Sequence, residues 1–228
     1  MSFELIVFDW DGTLMDSEAR IVACIQTAFA DLGEPPPSAA AARNIIGLGL
    51  DEAMAMLWPD ATLARRRDVM DRYRAHFLGG NETPSDLFPE ARAALAWLSQ
   101  RGHLLAVATG KSRRGLDEVL AATGLDTVFH ATRCADETRS KPYPDMLLEL
   151  MDELGVAASA TLMVGDTEYD IQMAHNAGAA ALAVCYGVHE RERLLAQHPL
   201  ACLESLGELP GWLGRLAEVS TDGLPLPA

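Results

Sequence analysis

Residues Glu4–Asp9 read E-L-I-V-F-D, a short run that is apolar on both faces and ends in a carboxylate. A strand with one wet face alternates apolar and polar residues. A run without that alternation reads as a strand covered on both sides, as in a parallel sheet. Similar runs recur at His103–Thr109 (H-L-L-A-V-A-T), Ala160–Asp166 (A-T-L-M-V-G-D) and Ala179–Val184 (A-A-A-L-A-V), with a weaker one at Val128–Thr132. Helical patterns separate them at Pro89–Gln100, Ser112–Ala122, Pro144–Leu154 and Glu168–Ala177, the last stopped by Gly178. Strand alternating with helix predicts an α/β fold, a parallel sheet with helices on both faces.

One stretch breaks the alternation. From Ser17 to about Gly80 helix follows helix: Ser17 caps one running to Leu32, Pro35-Pro36-Pro37 breaks it, and Ser38–Ile46, Asp51–Leu57 and Asp60–Leu78 follow. Gly79-Gly80-Asn81 and Pro84 form a second flexible connection. Residues 15–82 therefore read as a helical domain inserted after the first strand, and residues 1–14 with 83–228 as the core domain. Both ends of the insertion lie near the end of strand one, where a lid would sit. The tail Ser220–Ala228, polar and rich in proline, is expected to fray.

At 228 residues and 49% hydrophobic, the chain is long enough for one full domain and a smaller insert. Cys24, Cys134, Cys185 and Cys202 show no C-x-x-C spacing, so reduced thiols in a cytoplasmic protein are expected. The N-terminus lacks the basic region and cleavage site of a signal peptide, and no apolar run reaches membrane-span length. A net charge of −15 excludes the basic footprint of a nucleic-acid binder. It also requires that any anionic substrate meet local cations or a metal.

Ligands of open parallel sheets bind beyond the carboxyl ends of the strands. Few polar residues stand there. Asp9 and Asp11 follow strand one in D-W-D-G-T-L, two apart, so both side chains point the same way if the strand continues. Adjacent carboxylates resist double ionisation unless a cation sits beside them. One could attack phosphorus while the other, protonated, serves the leaving oxygen. Thr109 opens T-G-K-S, where a hydroxyl and backbone N–H groups such as that of Gly110 could hold phosphoryl oxygens. Lys141, in S-K-P-Y-P-D, is held by flanking prolines and could neutralise nucleophile and phosphate. Asp166 and Asp170, in G-D-T-E-Y-D, offer hard oxygen ligands suited to Mg²⁺. Each has an ordinary alternative: an Asx turn, a turn threonine, a surface lysine, a helix cap. Lys111 reads as a solvated lysine. All of these groups falling at strand ends together is what argues for chemistry.

D-W-D-G-T-L, the strand-end Thr109, Lys141-Pro142 and G-D-x-x-x-D, in that order, resemble the haloacid-dehalogenase-like hydrolase superfamily over about residues 3–208. The nearest subgroup is similar to the phosphoglycolate phosphatases, with their small helical cap. The resemblance implies a Rossmann-like sheet of order 5-4-1-2-3, with strands numbered along the chain. It implies Asp9 as nucleophile, Asp11 as general acid and then base, Thr109 as phosphoryl ligand and Lys141 as stabiliser of the intermediate. Mg²⁺ would be held by Asp9, the backbone carbonyl of Asp11, Asp166 and, less directly, Asp170. The expected activity is hydrolysis of a small phosphorylated metabolite by a monomer or homodimer.

Asp11 disfavours a dehalogenase, which lacks that second acid. A sugar-phosphate mutase of this cap type places an arginine near position 50, where this chain has Leu50; Arg43 stands nearby and keeps that reading open, as a pyrophosphatase also stays open. Arg43 is the one cap arginine expected to face substrate, since it leads into I-I-G-L-G. A phospho-receiver module shares acids, threonine and lysine, but it has no helical insert and no second acidic pair after the lysine.

Overall fold

The computed structural model describes residues 2–79 and 82–222, with side chains described as far as residue 216. Gly80-Asn81 of the second connection and residues 223–228 of the tail lie outside the described residues. Along the chain run β1 (Leu5–Phe8), β2 (Met15–Asp16), α1 (Glu18–Asp31), α2 (Ala39–Asn44), α3 (Leu50–Leu57), α4 (Leu63–Gly79), β3 (Asp86–Leu87) and α5 (Ala91–Gln100). Then follow β4 (Leu104–Thr109), α6 (Arg113–Thr123), β5 (Ala131–Cys134), α7 (Asp145–Leu154), β6 (Thr161–Gly165), α8 (Glu168–Asn176), β7 (Ala180–Val184), α9 (Arg191–Leu195), β8 (Cys202–Leu203) and α10 (Leu209–Asp222).

Six strands form a parallel sheet in the order β5-β4-β1-β6-β7-β8. The expected order of five strands stands, and β8 adds a sixth at the β7 edge. β5 lies three residues later than the run Val128–Thr132 suggested. β1 is central: Leu5 pairs with Leu104 on one side and Thr161 on the other, and all four of its residues are fully buried.

The period of two along a strand divides the core into two layers. Ile6 and Phe8 join Val107, Val164 and Leu182 under α5, α6 and α10, represented by Leu98, Leu116 and Trp212. Leu5 and Val7 face the other way, with Ala106, Ala108, Ala181 and Ala183, against Leu147 and Leu150 of α7 and Ile171 of α8. Alanines on that face let the helices approach closely, and Met146, Met163 and Met173 fill the remaining space.

Helices α1–α4 bury a separate core that includes Ile21, Ile25, Phe29, Ala42, Met54, Val69 and Met70. The chain enters this helical insert and leaves it through β2 and β3, an antiparallel ribbon pairing Met15 with Leu87 and Asp16 with Asp86. The insert is thus tied at the carboxyl end of β1. Tyr169 of α8 also packs into its core, and the Tyr169 hydroxyl donates to the Asn44 carbonyl at 2.9 Å.

Candidate active site

β1 stops at Phe8 because the chain turns at once. The Trp10 carbonyl accepts from the amides of Leu14 and Met15 at 2.9 Å each, and Gly12 takes a positive φ of 79°. That φ suits glycine. A Cβ on Gly12 would also lie 2.1 Å from Asp166 Oδ2, so the turn must press against that carboxylate. Trp10 is fully buried in the sheet core, as packing residues are.

Asp9 is 1% exposed. Its Oδ1 accepts from the Trp10 amide at 2.6 Å and meets Lys141 Nζ at 2.9 Å, while Oδ2 has no hydrogen-bond partner. Lys141, fully buried and followed by a cis peptide to Pro142, also meets Asp170 Oδ1 at 2.6 Å. Asp166 accepts from the Thr13 hydroxyl at 2.7 Å and from the Val188 amide at 2.8 Å. The N-cap of α8 is Thr167 rather than Asp166. Asp170 closes the capping box, accepting from the Thr167 amide at 3.0 Å and hydroxyl at 2.7 Å. Asp170 therefore serves both as helix cap and as partner of Lys141.

Carboxylate oxygens of Asp9, Asp166 and Asp170 lie within 4.8 Å of one another, all buried. Three carboxylates against one ammonium leave two negative charges unmatched. Burial, against the opposing charge of Lys141, raises Asp9 well above the usual carboxylate range, and the charges of Asp170 and Asp166 add to this. Burial, then the charge of Asp170, pushes Asp166 up to about 7 despite its hydrogen bonds. Burial also works against a charged Lys141, but Asp170 and Asp9 outweigh it and raise its affinity for the proton. An oxygen-only cluster with an unpartnered Asp9 Oδ2 and excess negative charge fits a hard divalent cation.

Asp11 stands apart from this cluster. Its Oδ1 accepts from the Ser17 hydroxyl at 2.5 Å and pairs with Lys111 Nζ at 3.0 Å. Lys111 is not a solvated lysine: it is 9% exposed and its ammonium lies 4.3 Å from the centre of the Phe77 ring. Sequence reading missed Lys111, Thr13 and Ser17. Position in T-G-K-S and D-G-T-L could have suggested the first two, since each lies within two residues of a strand-end group. Thr109 is fully buried at the end of β4, its hydroxyl accepting from the Lys111 amide at 3.2 Å.

A cavity of about 440 Å³ opens between sheet and insert, with Asp9, Asp11, Gly110 and Lys111 on the sheet side and Ile21, Ile25, Ile45, Leu50, Tyr73 and Phe77 on the insert side. Arg43 does not reach it. Its guanidinium is bound to Glu18 at 2.6 Å on the surface of the insert, away from the residues that line the cavity.

Residues 6–184 match the family described as haloacid dehalogenase-like hydrolase. A relative named probable phosphatase IndB, from Dickeya dadantii, is 35% identical over 95% of this chain and 96% of its own length. A phosphoglycolate phosphatase from Aliivibrio fischeri is 31% identical over 86% of this chain and 90% of its own. Among solved structures, a predicted phosphoglycolate phosphatase from Haemophilus somnus superposes with a TM-score of 0.84 at 25% identity, covering 92% of this chain and 98% of that one. With the match running from β1 through β7 and covering the insert and every carboxylate just described, the chain belongs to the haloacid dehalogenase-like hydrolase family.

Proposed function

We propose that the protein is a Mg²⁺-dependent phosphatase that hydrolyses small phosphomonoesters through a phosphorylated Asp9. The observation that carries this reading is the buried Asp9 carboxylate, anchored through Oδ1 to Lys141 and unpartnered at Oδ2, in the wall of the cavity. The relatives named as phosphatases support the same reading, and those named for phosphoglycolate make it the first reference substrate.

In this scheme Asp9 attacks phosphorus, forming its Oδ–P bond as the P–O bond to the alcohol breaks. Asp11 gives its proton to the departing oxygen. Lys111, whose Nζ lies 3.0 Å from Asp11 Oδ1, stands beside it in the wall of the cavity. Asp11 then takes a proton from water as the water oxygen attacks phosphorus, and Asp9 departs as carboxylate. Ester and water become alcohol and phosphate. Thr109 and the Gly110 amide orient phosphoryl oxygens, and Lys141 holds Asp9 in its attacking position. Asp9, Asp166, Asp170 and the backbone carbonyl of Asp11 would hold Mg²⁺, which supplies positive charge against the repulsion between carboxylate and phosphate. Residues 15–82 act as the cap that closes the cavity from water.

Hydrolysis of p-nitrophenyl phosphate, with Mg²⁺ and with EDTA, beside Asp9→Asn, tests the scheme. Turnover is expected with Mg²⁺ only, and a loss of at least about 10³-fold in Asp9→Asn. Turnover that survives both EDTA and Asp9→Asn refutes it.

A further inference from the structure

The insert side of the cavity is built from Ile21 and Ile25 of α1, Ile45, Leu50, and the aromatic pair Tyr73 and Phe77 of α4. The two rings stack with centroids 5.6 Å apart and 29° between planes. Among the described residues the insert side brings one cation to the cavity, Arg74, and the sheet side brings Lys111 and Arg114. Lys111 is matched by Asp11 and seated on Phe77. Arg74 and Arg114 reach the cavity, but Arg74 pairs with Asp71 and Arg114 with Glu118 on exposed helix faces. Asp51, Glu52 and Asp136 line the cavity as well and repel a second negative charge.

From this wall we infer the substrate class: a phosphomonoester whose alcohol carries an uncharged, largely apolar body, seated against Tyr73 and Phe77, rather than one bearing a carboxylate. The inference rests on the phosphatase reading and narrows it. A carboxylate seated on Ile21, Ile25, Ile45, Leu50 and Phe77 would lose its water and meet no donor from those side chains, which disfavours it. A flat or branched apolar body instead exchanges water for isoleucine, leucine and ring faces. The cavity, about 440 Å³, also has room for more than a two-carbon acid.

The test compares kcat/KM for benzyl phosphate and 2-phosphoglycolate, whose leaving alcohols are of similar basicity, with acetyl phosphate as a substrate almost without a body. Benzyl phosphate is expected to exceed phosphoglycolate by at least about tenfold. In Leu50→Arg, which brings a cation to the apolar wall, that ratio is expected to fall by about tenfold or more. Parity or preference for phosphoglycolate in the unmodified protein, with acetyl phosphate hydrolysed, overturns the substrate class and leaves the phosphatase reading standing. Failure to hydrolyse any of the three, acetyl phosphate included, removes the phosphatase reading and this inference with it.

Discussion

Lys141 is an ammonium with no exposure to water, and its two carboxylate partners at 2.9 and 2.6 Å are as buried as it is. Removing one member of such a group leaves uncompensated charge in a medium that solvates it poorly. Lys141→Met, measured by urea unfolding at pH 8 in EDTA, is expected to lose roughly 3–5 kcal/mol of stability. A loss below about 1 kcal/mol would show that Asp9 carries its own proton, since a neutral carboxyl needs no ammonium. At this scale the sequence was legible where a polar residue directly follows an apolar strand: Asp9, Asp166 and Asp170 meet as strand-end position led one to expect. Lys111 was marked only by its place in T-G-K-S, and Arg43 misled, for opposite reasons. The burial of Lys111 depends on Phe77, which only the folding of α4 brings over it. Arg43 sits in a suggestive turn, yet Glu18, one helix earlier, takes its guanidinium. Neither pairing leaves a local mark in the sequence.

The joint between insert and sheet depends on Gly110. A Cβ there would stand 2.4 Å from the Leu48 carbonyl oxygen and 2.8 Å from that of Gly47. Backbone cannot swing aside as a side-chain tip can, so Gly110→Ala must displace the I-I-G-L-G turn and the cap wall it carries. A shift of about 1 Å in a wall that positions substrate can cost about 100-fold. Gly110→Ala is therefore expected to lower kcat/KM by about 10- to 100-fold and to lower the unfolding midpoint as well, since Ile45, Ile46 and Leu48 of that turn belong to the insert core. Unaltered kcat/KM would mean that the insert does not need this close approach. The second anchor is the Ser140 hydroxyl, which accepts from the Gly49 amide at 2.6 Å. The helices α1 to α4 of the insert and the four strong strands were readable in advance. The β2–β3 ribbon and β8 have two residues each, too few to show a period, and pairing partners alone define them. α10 begins with Leu209 and Pro210, and Trp212 fastens it by stacking on Phe3 with centroids 6.5 Å apart.

For the whole molecule, the site's excess negative charge makes stability depend on pH in a direction that a metal reverses. In the metal-free protein Asp166 sits at about 7 against an ordinary 3.8, and Asp9 is raised as well. Between those values the unfolded chain has released the proton and the folded chain retains it. The folded state then binds more protons, so stability falls as pH rises from about 4 to 7, by up to about 1.4 kcal/mol per pH unit for each such proton. His189 acts in the opposite sense. Burial, aided by Arg193, lowers it to about 4, so its contribution is lost as pH falls from 6.5 toward 4. A divalent cation must displace the protons of Asp9 and Asp166, and it offsets the penalty that these acids impose once ionised. The increase in Tm produced by about 5 mM Mg²⁺ over EDTA is therefore expected to be small at pH 5 and to grow steadily to pH 8. Asp166→Asn should flatten that growth and raise stability in EDTA at pH 8, because an amide carries no charge to bury. A Mg²⁺ increment that stays constant from pH 5 to 8 would place the cation away from these acids, and the excess charge of the site would then have to be carried by protons alone.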